Sequence, residues 1–221
     1  MSVNKAAYRQ LISELHSKNV KLVAVSKTKS VEEIKELYDL GQRDFGENYV
    51  QELVEKYQQL PKDIRWHFIG HLQTNKVKLI VPFVQLIQSV DSLKLLKEIN
   101  RQAEKIGRIV DCLLEVHIAQ EETKFGLDEK ELHELLVTNF HELKNVKIVG
   151  LMGMASLTDD MKKVRKEFQY LKSLFNKLKT SDSRLTTLSM GMTADYKIAI
   201  EEGSNMIRIG SLIFGEREKD K

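Results

Sequence analysis

The chain has 221 residues, 42% of them hydrophobic, and its 35 basic residues nearly balance its 32 acidic ones. This composition predicts one large or two small globular domains, excludes a disordered chain, and lacks the strongly basic character of nucleic-acid-binding proteins. No apolar run approaches the ~18 residues of a membrane span, and the first residues contain no apolar signal core. The single cysteine, Cys112, cannot form an internal disulfide and favours a reducing, cytoplasmic setting.

Strand and helix patterns alternate along the chain after a leading helix within residues 1–18. Strands are predicted over residues 21–26, 43–46, 65–69, 83–89, 109–118, 146–152, 186–189 and 206–209. Helices are predicted over residues 30–40, 49–59, 74–80, 91–105, 128–140, 159–179 and 193–202, followed by a charged tail at 216–221. Ser30 and Glu33 form a candidate capping box, Gly41 ends the same helix, and Asp91 is the expected cap of a later one.

Regular alternation of strand and helix predicts a parallel sheet with helical crossovers. Eight such repeats in a chain of this length indicate an α/β fold, a (β/α)8 TIM barrel. We find no linker or repeat, so residues 1–221 are expected to form a single domain. A doubly wound open sheet is the alternative.

Polar side chains collect at the carboxyl ends of the predicted strands, where the active site of such a barrel lies. Strand one ends at Lys27, and strand three carries His67, which is either a core histidine or a base. The other polar residues near these ends are Glu47, Asn48, His71, Ser89, Asp91, Glu115 and His117.

Two glycine-containing turns follow the seventh and eighth strands, where barrels of this class commonly bind a phosphate. The turn SMGMT offers the hydroxyls of Ser189 and Thr193 and a close backbone approach at Gly191, and it opens a helix whose N-terminus favours a dianion. The turn IGS adds Gly210 and the Ser211 hydroxyl. Each sequence alone is typical of an ordinary turn, but their two positions together predict a phosphate site.

Lys27 has two interpretations. A lysine that ends a strand is usually a solvent-facing charge. Opposite a phosphate site, burial and nearby cations would lower the pKa of the amine and expose a neutral nucleophile, which condenses with an aldehyde to a Schiff base.

An aldehyde that carries a phosphate describes pyridoxal 5′-phosphate (PLP). Arg208 could then hydrogen-bond the pyridine nitrogen, or it could form an ion pair inside the barrel. On the residues alone, a Schiff-base aldolase or a phosphate-sugar isomerase without a cofactor stays an alternative.

Six ordered motifs extend this pattern over residues 22–215: AVSKTK, DFGENYVQE, WHFIGHLQTNK, ETKFG, GLMGMA and LSMGMTADYKIAIEEGSNMIRIGSLIFG. Together they resemble the PLP homeostasis proteins, a family similar to the N-terminal barrel of alanine racemase. The resemblance implies a barrel of that type that binds PLP.

The resemblance also implies roles for individual residues. Lys27 is similar to the lysine that forms the Schiff base with PLP, Arg208 to the partner of the pyridine nitrogen, and Asn48 and His67 to pocket residues. The implied phosphate cup consists of Ser189, Gly191, Thr193, Gly210 and Ser211, and Met192 is a further candidate cofactor-binding residue. This chain has Ser30 where the family often has proline, and it exchanges serine and threonine at two cup positions, which keeps both hydroxyls.

By this resemblance the chain is a carrier that buffers or delivers PLP, with no catalytic residue and no metal. An arginine at the pyridine nitrogen stays protonated, which leaves the ring nitrogen unprotonated and weakens the cofactor as an electron sink. The chain ends after strand eight, so we expect no C-terminal β-domain to supply a second acid or base, and we expect a monomer. Apo PLP-dependent enzymes are the expected recipients. The alternative is a weak amino-acid racemase or related PLP enzyme that works from Lys27 with a histidine or water.

Overall fold

The computed structural model describes residues 3–119, 125–138, 143–181 and 183–215. Three features predicted from the sequence fall outside these ranges: the first part of the ETKFG motif, the helix end at residue 140, and the tail at 216–221. All ten candidate cofactor-binding residues lie within the described ranges.

Eight strands and nine α-helices follow one another in the described residues. The strands are β1 Lys21–Val25, β2 Asp44–Glu47, β3 Arg65–Phe68, β4 Leu86–Val90, β5 Val110–Val116, β6 Val146–Gly153, β7 Thr187–Ser189 and β8 Met206–Ile209. The helices are α1 Lys5–Ser17, α2 Val31–Asp39, α3 Val50–Gln59, α4 Val77–Ile80, α5 Leu93–Glu104, α6 Glu129–Thr138, α7 Met161–Ser181, α8 Tyr196–Glu201 and α9 Ser211–Phe214. A short 3-10 turn, Thr74–Lys76, leads into α4.

The strands form a closed parallel barrel in the order β1 to β8. Closure comes from β8, which pairs in parallel with β1 from Lys21 opposite Met206 to Ala24 opposite Ile209. The predicted TIM barrel is therefore confirmed, and the doubly wound open sheet is excluded. Parallel strands bring all eight carboxyl ends to one mouth, which is where polar side chains from distant parts of the sequence can meet.

Local sequence accounts for the boundaries of α2 and α5. The Ser30 side chain accepts the Glu33 N–H while the Glu33 carboxylate accepts the Ser30 N–H, which confirms the capping box. Gly41 follows the helix with φ +104°, a conformation that glycine adopts without steric cost. The expected cap at Asp91 is wrong, because the hydroxyl of Ser92 caps α5 by accepting the Leu95 N–H.

Side chains alternate between two cores. Leu22 and Ala24 belong to the large core between the barrel and the helices, whereas Val23 belongs to a small separate cluster inside the barrel. The barrel interior also contains buried polar side chains from several strands, namely Asp44, His67, Gln88, Glu115, Ser189 and Arg208. TIM-barrel interiors are usually filled by branched apolar residues. Buried polar side chains at these positions therefore indicate a functional role rather than simple core packing.

None of the helices in the described part of the chain combines the length and the apolar character that crossing a bilayer requires.

Candidate functional site at the barrel mouth

A cavity of about 330 Å³ opens at the carboxyl ends of β1 and β8. Pockets of ~300–1,000 Å³ are typical of small-molecule sites. Its lining residues are Val25, Lys27, Lys29, Met192, Thr193, Ala194, Arg208, Gly210, Ser211 and Gly215. The fold thus brings the candidate lysine, the candidate arginine and both predicted phosphate turns to one cavity, although up to 184 positions separate them in the sequence.

The two lysines after β1 have different surroundings. Both line the cavity and both are partly buried. Lys29 Nζ donates to the Phe214 carbonyl at 3.0 Å and lies 3.9 Å from Glu33 Oε1, so it ties the first loop to the end of α9. Lys27 directly follows buried Ser26 at the end of β1, which places it at the cavity wall.

Arg208 presents a buried guanidinium to the same cavity. It is 4% exposed, and it donates from Nη1 to Ser189 Oγ at 2.6 Å and from Nη2 to the Gly153 carbonyl at 3.1 Å. Burial lowers the pKa of Arg208 to about 10, against the opposing effect of the carboxylates of Glu115 and Asp195. The guanidinium therefore stays protonated at neutral pH and offers hydrogen-bond donors only.

A chain of hydrogen bonds continues from Arg208 across the barrel interior. The Ser189 hydroxyl donates to Gln88 Oε1 at 2.7 Å, Gln88 Nε2 lies 2.9 Å from His67 Nδ1, and His67 Nε2 lies 3.0 Å from Asp44 Oδ1. The amide nitrogen of Gln88 can only donate, so His67 Nδ1 accepts and its proton resides on Nε2. The donors therefore point one way, from Arg208 to Asp44.

The charges at the far end of this chain agree with that direction. Burial opposes the ionisation of Asp44, but hydrogen bonds from His67 and Arg65 outweigh it and hold its pKa below the usual value. Burial lowers the pKa of His67, against the attraction of Asp44, so the imidazole is neutral. A neutral His67 with one donor and one acceptor nitrogen completes the chain without an unsatisfied group.

Replacing Gln88 with leucine is expected to break the chain in the middle. The Ser189 hydroxyl and His67 Nδ1 would both lose a buried partner, at a cost of about 1–3 kcal/mol for each group. We expect a lower free energy of unfolding in urea and weaker binding of PLP, the cofactor that the sequence predicts. Gln85→Leu is the matched control, because Gln85 lies exposed beside β4. Equal stability and equal PLP affinity in the two variants would contradict a role for this chain of hydrogen bonds.

Two residues predicted to contact the cofactor lie outside the cavity lining in the structure. Ser189 is fully buried, and its hydroxyl donates to Gln88 and accepts from Arg208, so it lies beneath the cavity lining. His67 is 2% exposed and lies two hydrogen bonds further along the chain. Neither is among the residues that line the cavity. We infer that both support Arg208 rather than contact a ligand.

The turn after β7 approaches the cavity through a glycine with positive φ, a conformation that a residue with a side chain would adopt only under strain. Gly191 has φ +100°, and a Cβ there would lie 2.6 Å from the Ala199 Cβ. The Met192 N–H donates to Asp195 Oδ1 at 2.6 Å, so this side chain already satisfies the first amide of the turn. The helix begins at Tyr196 rather than at residue 193, because Asp195 is its N-cap.

The turn after β8 is equally compact. Gly210 is the N-cap of α9, a short helix that the sequence analysis did not include, and Ser211 is its first residue. A Cβ on Gly210 would lie 3.2 Å from the Val25 carbonyl oxygen, so glycine allows this turn to approach β1. The two turns and β1 form the two sides of the cavity.

Asn48 is placed elsewhere on the mouth. It lines a second cavity of about 290 Å³ beside Tyr49, Gly70 and His71. Its Oδ1 atom is buried without a hydrogen-bond partner among the described residues. The structure therefore puts Asn48 at the same end of the barrel as Lys27 but not on the cavity with it.

Sequence reasoning named Glu115 among the polar residues at the strand ends, but it missed the buried side chains of Gln88 and Lys56. Burial raises the pKa of Glu115 to about 7, the Asp91 carboxylate adds to this rise, and Arg208 opposes it. Gln88 is a long polar side chain within the strand LIQSV, and this pattern could have identified it from the sequence. Lys56 lies on the buried face of α3 with Val50 and Leu53, and this spacing could also have identified it from the sequence.

Comparisons with known proteins agree with the barrel fold and with the resemblance seen in the sequence motifs. Residues 4–218 match the family model of the alanine racemase N-terminal domain. A pyridoxal phosphate homeostasis protein of Aquifex aeolicus is 44% identical over 200 residues, which cover 90% of this chain and 87% of the relative. One of Pasteurella multocida is 41% identical over 207 residues, covering 91% of this chain and 88% of the relative.

Solved structures share the barrel. PipY of Synechococcus elongatus, solved with PLP bound, superposes with a TM-score of 0.83 at 36% identity and covers 95% of this chain and 99% of its own. The fold and the sequence relationship extend together over nearly the whole length. The chain belongs to the alanine racemase N-terminal domain family and, within it, to the pyridoxal phosphate homeostasis proteins.

Proposed function

We propose that this protein binds PLP in the cavity at the barrel mouth and takes part in PLP homeostasis by buffering or delivering it. The observation that carries the proposal is the meeting of Lys27, Arg208 and the two glycine turns on one cavity. The names of the relatives and the PLP bound in PipY support the same assignment.

The residues present fit this cofactor. Lys27 supplies an amine at one wall, and the turns at Thr193 and Ser211 supply hydroxyls where a phosphate would be held. Arg208 supplies a protonated guanidinium that suits a ring nitrogen lone pair. When bound, PLP supplies an aldehyde, and in its attachment the amine nitrogen would replace the aldehyde oxygen, which leaves as water.

A carrier role is favoured over catalysis by the side chains around the cavity. Among the described residues that line it, the titratable ones are Lys27, Lys29 and Arg208, and Lys29 is held by the Phe214 carbonyl. Racemisation needs a second acid or base on the opposite side of the substrate. Arg208 keeps its proton, which weakens electron withdrawal by the cofactor ring.

Two assays on the PLP-loaded protein separate carrier from enzyme. In the first, the protein is mixed with an apo PLP-dependent enzyme, and recovery of that enzyme's activity is followed. In the second, it is incubated with single-enantiomer amino acids. We expect transfer without turnover. Racemisation that disappears in Lys27→Ala would contradict the carrier role and support a weak racemase.

The proposal includes a monomer acting in the cytoplasm. Burial raises the pKa of the Cys112 thiol far above its usual value, so this cysteine is inert rather than a redox site. Sedimentation of the loaded protein tests the oligomeric state directly.

A further inference from the structure

Two side chains of α3 hold the peptide groups on both sides of Lys27. Lys56 Nζ donates to the Ser26 carbonyl at 2.7 Å, immediately before Lys27. Glu52 Oε1 accepts the Thr28 N–H at 2.6 Å, immediately after it. The backbone of the candidate nucleophile is thus fixed from one helix at both neighbouring positions.

The two side chains are themselves joined into one cluster. Lys56 is 5% exposed, and it also donates to Glu52 Oε1 at 2.6 Å and to Glu47 Oε1 at 2.8 Å. Glu47 Oε1 accepts the Ser26 hydroxyl at 2.6 Å as well. We call Glu47, Glu52 and Lys56 the α3 clamp, although Glu47 belongs to the end of β2.

The clamp holds an unfavourable backbone conformation. Thr28 has φ +64°, one of two positive values at non-glycine residues in the described chain. Positive φ is a genuine outlier for a β-branched residue, and such strain persists only where the surroundings impose it. Two contacts hold it here: the Thr28 N–H donates to Glu52 Oε1, and the Lys29 N–H donates to the Ser26 carbonyl at 3.0 Å, which closes the turn.

Fold stability alone does not explain the clamp. Lys56 occupies the buried stripe of α3 in register with Val50 and Leu53, where an apolar side chain would continue the core. A buried ion pair is often no more stabilising than apolar residues of similar volume. Glu47 also keeps a buried Oε2 atom without a hydrogen-bond partner among the described residues, which is a cost rather than a gain.

We propose that Glu52 and Lys56 are positioning residues that hold the Lys27 loop in the strained conformation from which its amine attaches PLP. This inference rests on the proposed function and deepens it. Glu52 and Lys56 contact the backbone on both sides of Lys27. Their loss should therefore slow attachment at Lys27 while leaving the proposed phosphate turns after β7 and β8 intact.

The test compares Glu52→Ala, Glu52→Gln and the matched control Glu55→Gln in the full-length chain. Glu55 is exposed on the same helix. Attachment is measured as the rate of the absorbance change after addition of PLP, with borohydride fixing the pyridoxyl group for mass analysis. Binding of pyridoxine 5′-phosphate, which has the phosphate but no aldehyde, reports the remainder of the site.

We expect Glu52→Ala to attach PLP on the order of tenfold more slowly than the control, because it loses a charge-assisted hydrogen bond. Its affinity for pyridoxine 5′-phosphate should be unchanged. Glu52→Gln keeps an acceptor oxygen for the Thr28 N–H and should recover most of the rate. Thr28→Gly removes the penalty for positive φ, so Glu52→Ala should cost less in that background.

The outcomes separate the two proposals. Attachment by Glu52→Ala at the control rate would overturn the clamp, and so would a parallel loss of pyridoxine 5′-phosphate binding, which would indicate general structural damage. Equal effects of Glu52→Ala with Thr28 and with glycine at position 28 would overturn the role of backbone strain. Absence of any pyridoxyl group on wild-type Lys27 would contradict the proposed function itself.

Discussion

Lys27→Ala is expected to abolish covalent attachment of PLP. The wild-type protein should turn yellow with PLP and keep a pyridoxyl group after borohydride reduction. The alanine variant lacks the amine at the cavity wall, so its spectrum with PLP should resemble that of free PLP. Thr193, Arg208 and Ser211 remain, so the variant should still bind PLP non-covalently. Dialysis should then remove this PLP, and the fraction removed is measured.

Two further lysine variants sharpen this result. Lys35→Ala is the control, because Lys35 lies exposed on α2 and pairs with Asp39. Lys29→Ala tests the neighbouring amine, whose Nζ donates to the Phe214 carbonyl. It should weaken the cavity but keep attachment at Lys27. A pyridoxyl group fixed by borohydride on the Lys27→Ala protein at the wild-type level, or none fixed on the Lys29→Ala protein, would show that the wrong lysine has been assigned.

Gly191→Ala is expected to have the second large effect, by displacing the turn after β7 that we propose binds the phosphate. Alanine at φ +100° costs about 1–3 kcal/mol, and its Cβ would lie 2.6 Å from the Ala199 Cβ and 3.0 Å from the Tyr196 Cα. The turn and α8 must therefore move apart. We expect PLP affinity to fall about tenfold or more, with little change for pyridoxal, which has no phosphate. Equilibrium binding of both ligands measures the difference.

Gly41→Ala provides a matched control for the backbone cost. Gly41 has φ +104°, nearly the same conformation, but a Cβ there would contact nothing within 4 Å. It follows α2 and lines none of the cavities described above. We expect a similar strain penalty with an unchanged preference for PLP over pyridoxal. If both glycine variants lost that preference equally, global destabilisation rather than the turn would be the cause.

The barrel was predictable because its signals are local and repeated. Each strand of apolar residues is followed by an amphipathic helix, and β8 runs over the predicted residues 206–209. The short helix α9 was missed, since four residues after Gly210 carry no periodicity that distinguishes a helix from a turn. The late start of α8 has a similar cause, because Asp195 rather than Thr193 serves as its N-cap.

The sequence was sufficient to predict residues that line the candidate cavity, but not the residues buried beneath that lining. Lys27, Arg208 and the glycine turns lie at strand ends, a position that the chain order alone determines. Whether a strand residue faces the cavity or lies one layer below depends on the barrel's stagger and on partners from other strands. Ser189 is drawn inward by Gln88, which is 101 residues away in the sequence. The α3 clamp likewise joins residues that no short motif links.

The position of the pyridoxyl group along the chain decides whether Lys27 is the residue that attaches PLP. The wild-type protein is loaded with PLP, reduced with borohydride, digested, and mapped by mass spectrometry. We expect one labelled peptide, modified at Lys27, and loss of the label when excess pyridoxine 5′-phosphate fills the cavity first. Label spread over exposed lysines, or found at Lys29 alone, would contradict it.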